Sequence, residues 1–153
     1  MREILFRGKD KDDGNWYEGY YLQLHDTTYC CMPSDNVDEA NRLNKENEHH
    51  YIVFEQMTDW GLPNKHLRAE VLPETVCQYT GLTDKNGRKI FEGDIVKVLY
   101  TNGQEDGGDV TEVKYSEKSA SFSPWDWEYD CDGCDLYFHI KEIEIVGNAF
   151  DKE

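Results

Sequence analysis

With 153 residues, 38% of them hydrophobic and 13% aromatic, the chain has the length of one domain or two small subdomains and enough apolar material for a core. Its 32 acidic against 16 basic residues leave a net charge of −16, which argues against direct nucleic-acid binding, because phosphate needs a positive surface. No apolar run has the length of a signal-peptide core or the roughly 20 residues of a membrane span, so a cytoplasmic protein with five reduced cysteines and no membrane contact is expected.

Glu3 to Arg7 reads as a short strand, and the polar GKDKDDGN run turns the chain into NWYEGYYLQL. There Trp16, Tyr20, Leu22 and Leu24 fall at the even spacing of a half-buried strand. His25-Asp26 marks a turn before TTYCCM, a further strand candidate. Residues 34–50 carry Ser34 and Asp35 as N-cap candidates and only Val37, Ala40 and Leu43 as an apolar stripe, the pattern of a short, weakly amphipathic helix or of a mobile insertion. HHYIVFEQ is a strand, and DWGLPN breaks the chain, so any division falls near Trp60–His66, with 1–60 as an N-terminal β segment and 67–153 as the remainder.

Glu74 to Tyr79 reads as a strand introduced by Pro73. Gly81 suits a positive φ, Asn86-Gly87 is the preferred type I′ dipeptide, and Glu92-Gly93-Asp94 turns the chain into IVKVLY. Val96, Val98 and Tyr100 share one face of that strand; in VTEVKYS, Val113 and Tyr115 are expected inside; EIEIVG closes the set. Short strands joined by Gly-rich turns predict a mainly β protein. The expected form is a small SH3-like or partly open β-barrel in the C-terminal half, packed with an N-terminal antiparallel β segment, with at most one or two short helices.

The stretch ETVCQYTGLTDKNGRKIFEGDIV resembles the signature of the YopX protein family, small proteins of bacteriophages and prophages. REILFRGKD followed by NWYEGYY is similar to the family's opening, and IEIVGNAFDKE to its closing Ile-Gly-Asn segment, without the acidic-Asn ending usual there. Residues 30–72 and 101–140 follow no family pattern. The resemblance implies one YopX-like domain over 1–153, a phage setting in a bacterial cytoplasm, an uncharacterised role and no catalytic residues to carry over. The matching positions Gly81, Asp84, Asn86, Gly87, Glu92, Gly93 and Asp94 read as fold-determining turn formers.

Chemistry is sparse. Cys131-Asp132-Gly133-Cys134 offers half a zinc site, with Cys30, Cys31, Cys77 or His139 for the rest, but adjacent cysteines on a strand point to opposite faces, and an unliganded loop is expected. Glu128, Asp130, Asp132 and Gly133 imitate a calcium loop whose twelfth position is His139 where a bidentate Glu is needed. No GxSxG, HExxH or GxxxxGK motif occurs, and His49-His50 forms no catalytic set. No enzyme activity, metal or cofactor is expected. Trp125, Asp126, Trp127, Glu128, Asp130 and Asp132 form a candidate partner-binding patch, aromatic anchors among carboxylates. Fourteen acids against four lysines after Thr101 serve to keep a small β protein soluble or, alternatively, steer a basic protein partner. Self-association into a homo-oligomer is the alternative, and a hydrolase with an acidic pocket a more distant one.

Overall fold

The computed structural model describes residues 3–29, 37–98, 109–117, 120–123 and 143–151. The chain forms two units, one of Leu5–Val76 and one of Cys77–Glu153 with the first four residues. It is mainly β, with antiparallel pairing between its strands.

In the N-terminal unit, β1 (Phe6–Lys9), β2 (Trp16–His25), β3 (Glu48–Gln56) and β4 (Lys65–Glu70) follow one another across the sheet. Because β4 pairs residue for residue with β3, His66 opposite Glu55, the stretch Trp60–His66 is a hairpin connection inside this unit. The division between units lies at Val76/Cys77 instead. Beyond β1 the chain returns to the far side of β4: Asp10 bridges Val71, and the Lys11 N–H donates to the Glu70 carbonyl at 2.9 Å. Pro73–Thr75 is a single 3-10 turn, so the strand expected from Glu74 begins only at Cys77, because Pro at the start of the turn fixes φ and the Thr75 and Val76 N–H groups close back on Leu72 and Pro73. Thr75 Oγ1 then accepts the Lys9 N–H at 2.9 Å.

The core of this unit is Ile52, Ala69 and Val71, with Phe6, Tyr17, Tyr21, Phe54 and Val76 against them. This corrects the expected inner face of β2. Tyr17, Gly19 and Tyr21 face the core, whereas Tyr20, Leu22 and Leu24 are exposed. Both alternating sets of β2 are apolar enough to be buried, and pairing decides between them: Phe6 lies opposite Gly19, and Ile52 opposite Tyr21. Helix α1 (Val37–Glu46) buries none of its residues, so the Val37, Ala40, Leu43 stripe is not a core face. Thr27–Tyr29 form no strand, and Cys30–Met32, Ser34 and Asp35 lie outside the described residues.

The C-terminal unit contains β5 (Cys77–Thr83) paired with β6 (Lys89–Phe91), a three-stranded sheet in which β7 (Asp94–Val98) lies between β8 (Asp109–Glu112) and β11 (Ile143–Asn148), and β9 (Lys114–Ser116) paired with β10 (Ser121–Ser123). Of the two forms expected for this half, the open one is present: the described strands form no closed barrel. Val96, Val98, Ile90, Val113 and Ile143 are fully buried around Phe122. VTEVKYS is two strands, not one. Val113 breaks it by bonding to the Gly93–Asp94 corner, which leaves Tyr115 exposed, edge-on to Phe122.

The Asn86-Gly87 turn also differs from expectation. Gly87 alone has positive φ, 81°, and its N–H closes on the Asp84 carbonyl at 2.9 Å, while the Asp84 N–H donates to the Arg88 carbonyl at 2.8 Å. That is a longer loop with glycine at the bulge position, not a type I′ turn, because the Asp84 carboxylate captures the Asn86 and Arg88 N–H groups and winds the corner the other way. At the next corner Gly93 has φ of 74°, and a Cβ there would sit 2.7 Å from Phe150 Cε2. Gly93→Val is therefore expected to cost about 1 kcal/mol or more, seen as a lower melting temperature. An unchanged melting temperature would contradict the strained corner.

Candidate partner-binding hairpin

The β3–β4 hairpin brings together three features that are far apart in kind: an apolar tip, a basic edge and a charged base. The tip is the loop 57–64. Asp59 starts a four-residue turn in which the Leu62 N–H donates to the Asp59 carbonyl at 3.0 Å and Gly61 has φ of 79°. The Asp59 carboxylate accepts the Trp60 N–H at 2.7 Å, the Thr58 hydroxyl donates to the Pro63 carbonyl at 3.0 Å, and Asn64 Nδ2 donates to Glu55 Oε2 at 3.2 Å. This internally bonded loop presents Trp60 at 98%, Met57 at 82% and Leu62 at 60% exposure. Burying an indole is worth roughly 3 kcal/mol or more, a gain this loop leaves unused within the chain.

The edge is β4, which has β3 on one side. Lys65, His66 and Arg68 are exposed along it. Arg68 lies with its guanidinium 4.8 Å from the centre of the Tyr51 ring, and His66 stands 3.7 Å from Glu55.

At the base, the two adjacent histidines of β3 point to opposite faces and enter separate networks. His49 is held between two carboxylates, Nδ1 at 3.1 Å from Glu70 and Nε2 at 3.2 Å from Asp26, while Lys11 Nζ reaches Glu70 at 3.1 Å. The Glu70 hydrogen bond, against burial and aided by Asp26, raises the His49 pKa; the same bond and that from Lys11 lower the Glu70 pKa. His50 Nδ1 lies 2.5 Å from the Tyr21 hydroxyl and Nε2 3.1 Å from Glu48. Burial, then Glu48, raises the Tyr21 pKa. A cleft of about 430 Å³ opens here, bordered by Lys11, Lys45, Glu48, His50, Glu70 and Pro73. The sequence shows two histidines and scattered acids, but Glu70 is 21 residues from His49, and only strand register brings them together.

This clamp has a signed pH dependence. The His49 contribution is complete below its ordinary value near 6.5 and is lost as pH rises through the raised value. The Glu70 contribution is complete above its ordinary value near 4.5 and is lost as pH falls through the lowered one. The pair stabilises most between these limits. His49→Gln should therefore lower the denaturation midpoint at about pH 5.5 by more than at about pH 8.5. An equal loss at both would mean that His49 acts through packing alone.

In the C-terminal unit the turn-forming acids do more than shape turns. The Asp84 carboxylate accepts the Asn86 and Arg88 N–H groups at 2.8 and 2.9 Å, Arg88 Nε and Nη2 at 2.9 and 2.7 Å, and the Ile145 N–H of β11 at 3.3 Å. Arg88 Nη2 also donates to the Ile145 carbonyl at 2.6 Å, and Lys85 pairs with Glu144. Asp94, buried, accepts the Phe91 N–H at 2.8 Å and Asn148 Nδ2 at 3.3 Å. The Glu92 N–H donates to Gln78, and Gly81 has φ of 90°. Asp84 and Asp94 thus tie the central hairpin to the closing Ile-Gly-Asn segment. Cys77 is buried. The patch Trp125, Asp126, Trp127, Glu128, Asp130 and Asp132, and the Cys131, Cys134 and His139 group, lie outside the described residues. Among the described residues no three His, Cys, Asp or Glu side chains are placed to hold a metal ion, and no helix is long and apolar enough to cross a membrane.

The combination is a mainly β protein of two units with an outward-facing hairpin. The family model described as YopX protein matches residues 5–152, and the chain belongs to that family. No curated protein matches it. Among solved structures it is similar to the crystal structure of protein EF1440 from Enterococcus faecalis, at 18% identity over 97% of this chain and 94% of that one, with a TM-score of 0.46.

Proposed function

We propose that this chain is a phage- or prophage-encoded accessory protein of the host cytoplasm that acts by binding another protein and not by catalysis, with the β3–β4 hairpin as its contact element. The observation that carries this reading is Trp60, 98% exposed on a loop whose own hydrogen bonds already order it. Aromatic anchors of this kind dominate binding energy, and an ordered loop loses little conformational entropy when it docks. Met57 and Leu62 widen the apolar contact. Family membership supports the phage setting through the resemblance of the three quoted segments. The charge of −16 speaks against nucleic acid as the ligand.

The test is affinity capture from a bacterial lysate with the wild-type chain and with Trp60→Ala. Partners held by the wild type should weaken by tenfold or more in the variant, whose melting temperature should be unchanged because Trp60 buries almost nothing. Capture of the same partners at the same strength by both would exclude the hairpin tip. A stable oligomer in light scattering that Trp60→Ala dissolves would assign the tip to self-association instead.

A further inference from the structure

We infer that the outer edge of β4 accepts an extended, acidic strand from the partner, added alongside His66 and Arg68. This deepens the reading above and rests on it for the existence of a protein partner. In an antiparallel pair, residues that exchange backbone hydrogen bonds alternate with residues whose N–H and C=O point away. The Val71 N–H donates to the His50 carbonyl at 2.8 Å, which sets the phase of the β3–β4 ladder. Ala69, Leu67 and Lys65 are then the bonded positions, and Glu70, Arg68 and His66 direct their backbone groups outward. The Glu70 carbonyl is already taken by Lys11. The N–H and C=O groups of Arg68 and His66 have no partner among the described residues, and the two positions lie about 7 Å apart, the repeat of a strand.

Charge selects the occupant. Lys65 and Arg68 make no ion pair among the described residues, and His66 stands 3.7 Å from Glu55, its partner across the pair. A second copy of β4 laid antiparallel on the first would bring these cations together, which opposes self-pairing at this edge. A strand carrying Glu or Asp on the side of His66 and Arg68, and an apolar residue against the 37%-exposed Leu67, is complementary on both faces. At physiological salt the Debye length is about 8 Å, so Lys65 and Arg68, with Glu55 beside His66 and Glu70 already held by Lys11 and His49, count for more at this edge than the remoter charge of the chain. The end of the added strand beside Lys65 lies next to the apolar tip.

The experiment titrates labelled peptides into the full chain at physiological salt and reads fluorescence anisotropy. An alternating Glu-Val peptide is expected to bind saturably, and an alternating Lys-Val peptide of the same length is not. N-methylating alternate backbone positions of the Glu-Val peptide should weaken it about tenfold, since the blocked face can no longer pair. His66→Pro, which removes an outward N–H together with the imidazole, should weaken binding beyond His66→Ala, which removes the imidazole alone, with the melting curve preserved, and Arg68→Glu should invert the preference between the peptides. No binding of the Glu-Val peptide would overturn the inference and leave Lys65 and Arg68 as guards against aggregation. Binding indifferent to N-methylation would overturn it in favour of charge contact without strand addition. Binding to phosphatidylserine vesicles with neither peptide bound would assign the edge to a membrane surface. Because the peptide titration reports on the edge and Trp60→Ala on the tip, loss of lysate partners in Trp60→Ala together with peptide failure would sink the edge and spare the tip. Peptide binding with unchanged lysate partners would do the reverse.

Discussion

Replacing Asp84 with alanine is expected to lower the stability of the C-terminal unit by about 3 kcal/mol, measured as the shift of its urea unfolding curve. The side chain is fully buried and satisfies backbone donors at Asn86, Arg88 and Ile145 as well as the Arg88 guanidinium. Removing it strands those donors and unties the 84–88 corner from β11. Asp84→Asn keeps the shape but loses the charge, and should cost less. Burial alone would raise this carboxyl; the hydrogen bonds from Arg88, Ile145 and Asn86 overcome it and hold the pKa at about 2, below the ordinary 3.8. A carboxylate with a depressed pKa stabilises above its ordinary value and loses that contribution as pH falls through the depressed one. The acid limb of wild-type stability should therefore steepen between about 3.8 and about 2, and flatten in Asp84→Asn. Identical acid limbs, or a loss under about 1 kcal/mol for Asp84→Ala, would show that the brace is dispensable.

Gly19→Ala is expected to cost the N-terminal unit about 3 kcal/mol, although alanine is ordinarily the better strand residue. A Cβ at Gly19 would lie 2.2 Å from the Val53 carbonyl oxygen and 3.2 Å from Ile52 Cγ2. The first neighbour is backbone, in the β2–β3 pair, so it yields only if the strands separate. Amide exchange should show the damage locally, as faster exchange along Tyr20–Leu24 and Tyr51–Val53. Wild-type exchange at these positions would show that the sheet absorbs the methyl group by a rigid shift.

These two residues mark the limit of what could be read in advance. The β character, the strand periods of 94–98 and 143–148 and the corner glycines are local properties: alternation and turn chemistry act within a few residues. Asp84 was legible as a turn former for that reason. Its grip on Ile145 was not, because the partner is 61 residues away and depends on which strand lies beside the turn. Gly19 carried no turn signal; its need for a bare Cα comes from the approach of Val53 across the β2–β3 pair.

The faces of β2 show the same division. Trp16, Tyr20, Leu22 and Leu24 are as apolar as Tyr17 and Tyr21, so period two declares a strand but leaves open which side is wet until Phe6 and Ile52 choose it. Trp60 reads as a loop residue in DWGLPN, yet its exposure is set by the Asp59 turn and by the pairing of β3 with β4 beneath it. The sequence by itself determined the family, the β class, the acidity and the positions of the sharp corners, all of which follow from composition or from interactions between near neighbours. The tertiary structure alone decided the buried face of β2, the His49 clamp, the Asp84 brace and the outward edge of β4. Each of these is a contact between segments whose meeting depends on strand order and register, which no local pattern encodes.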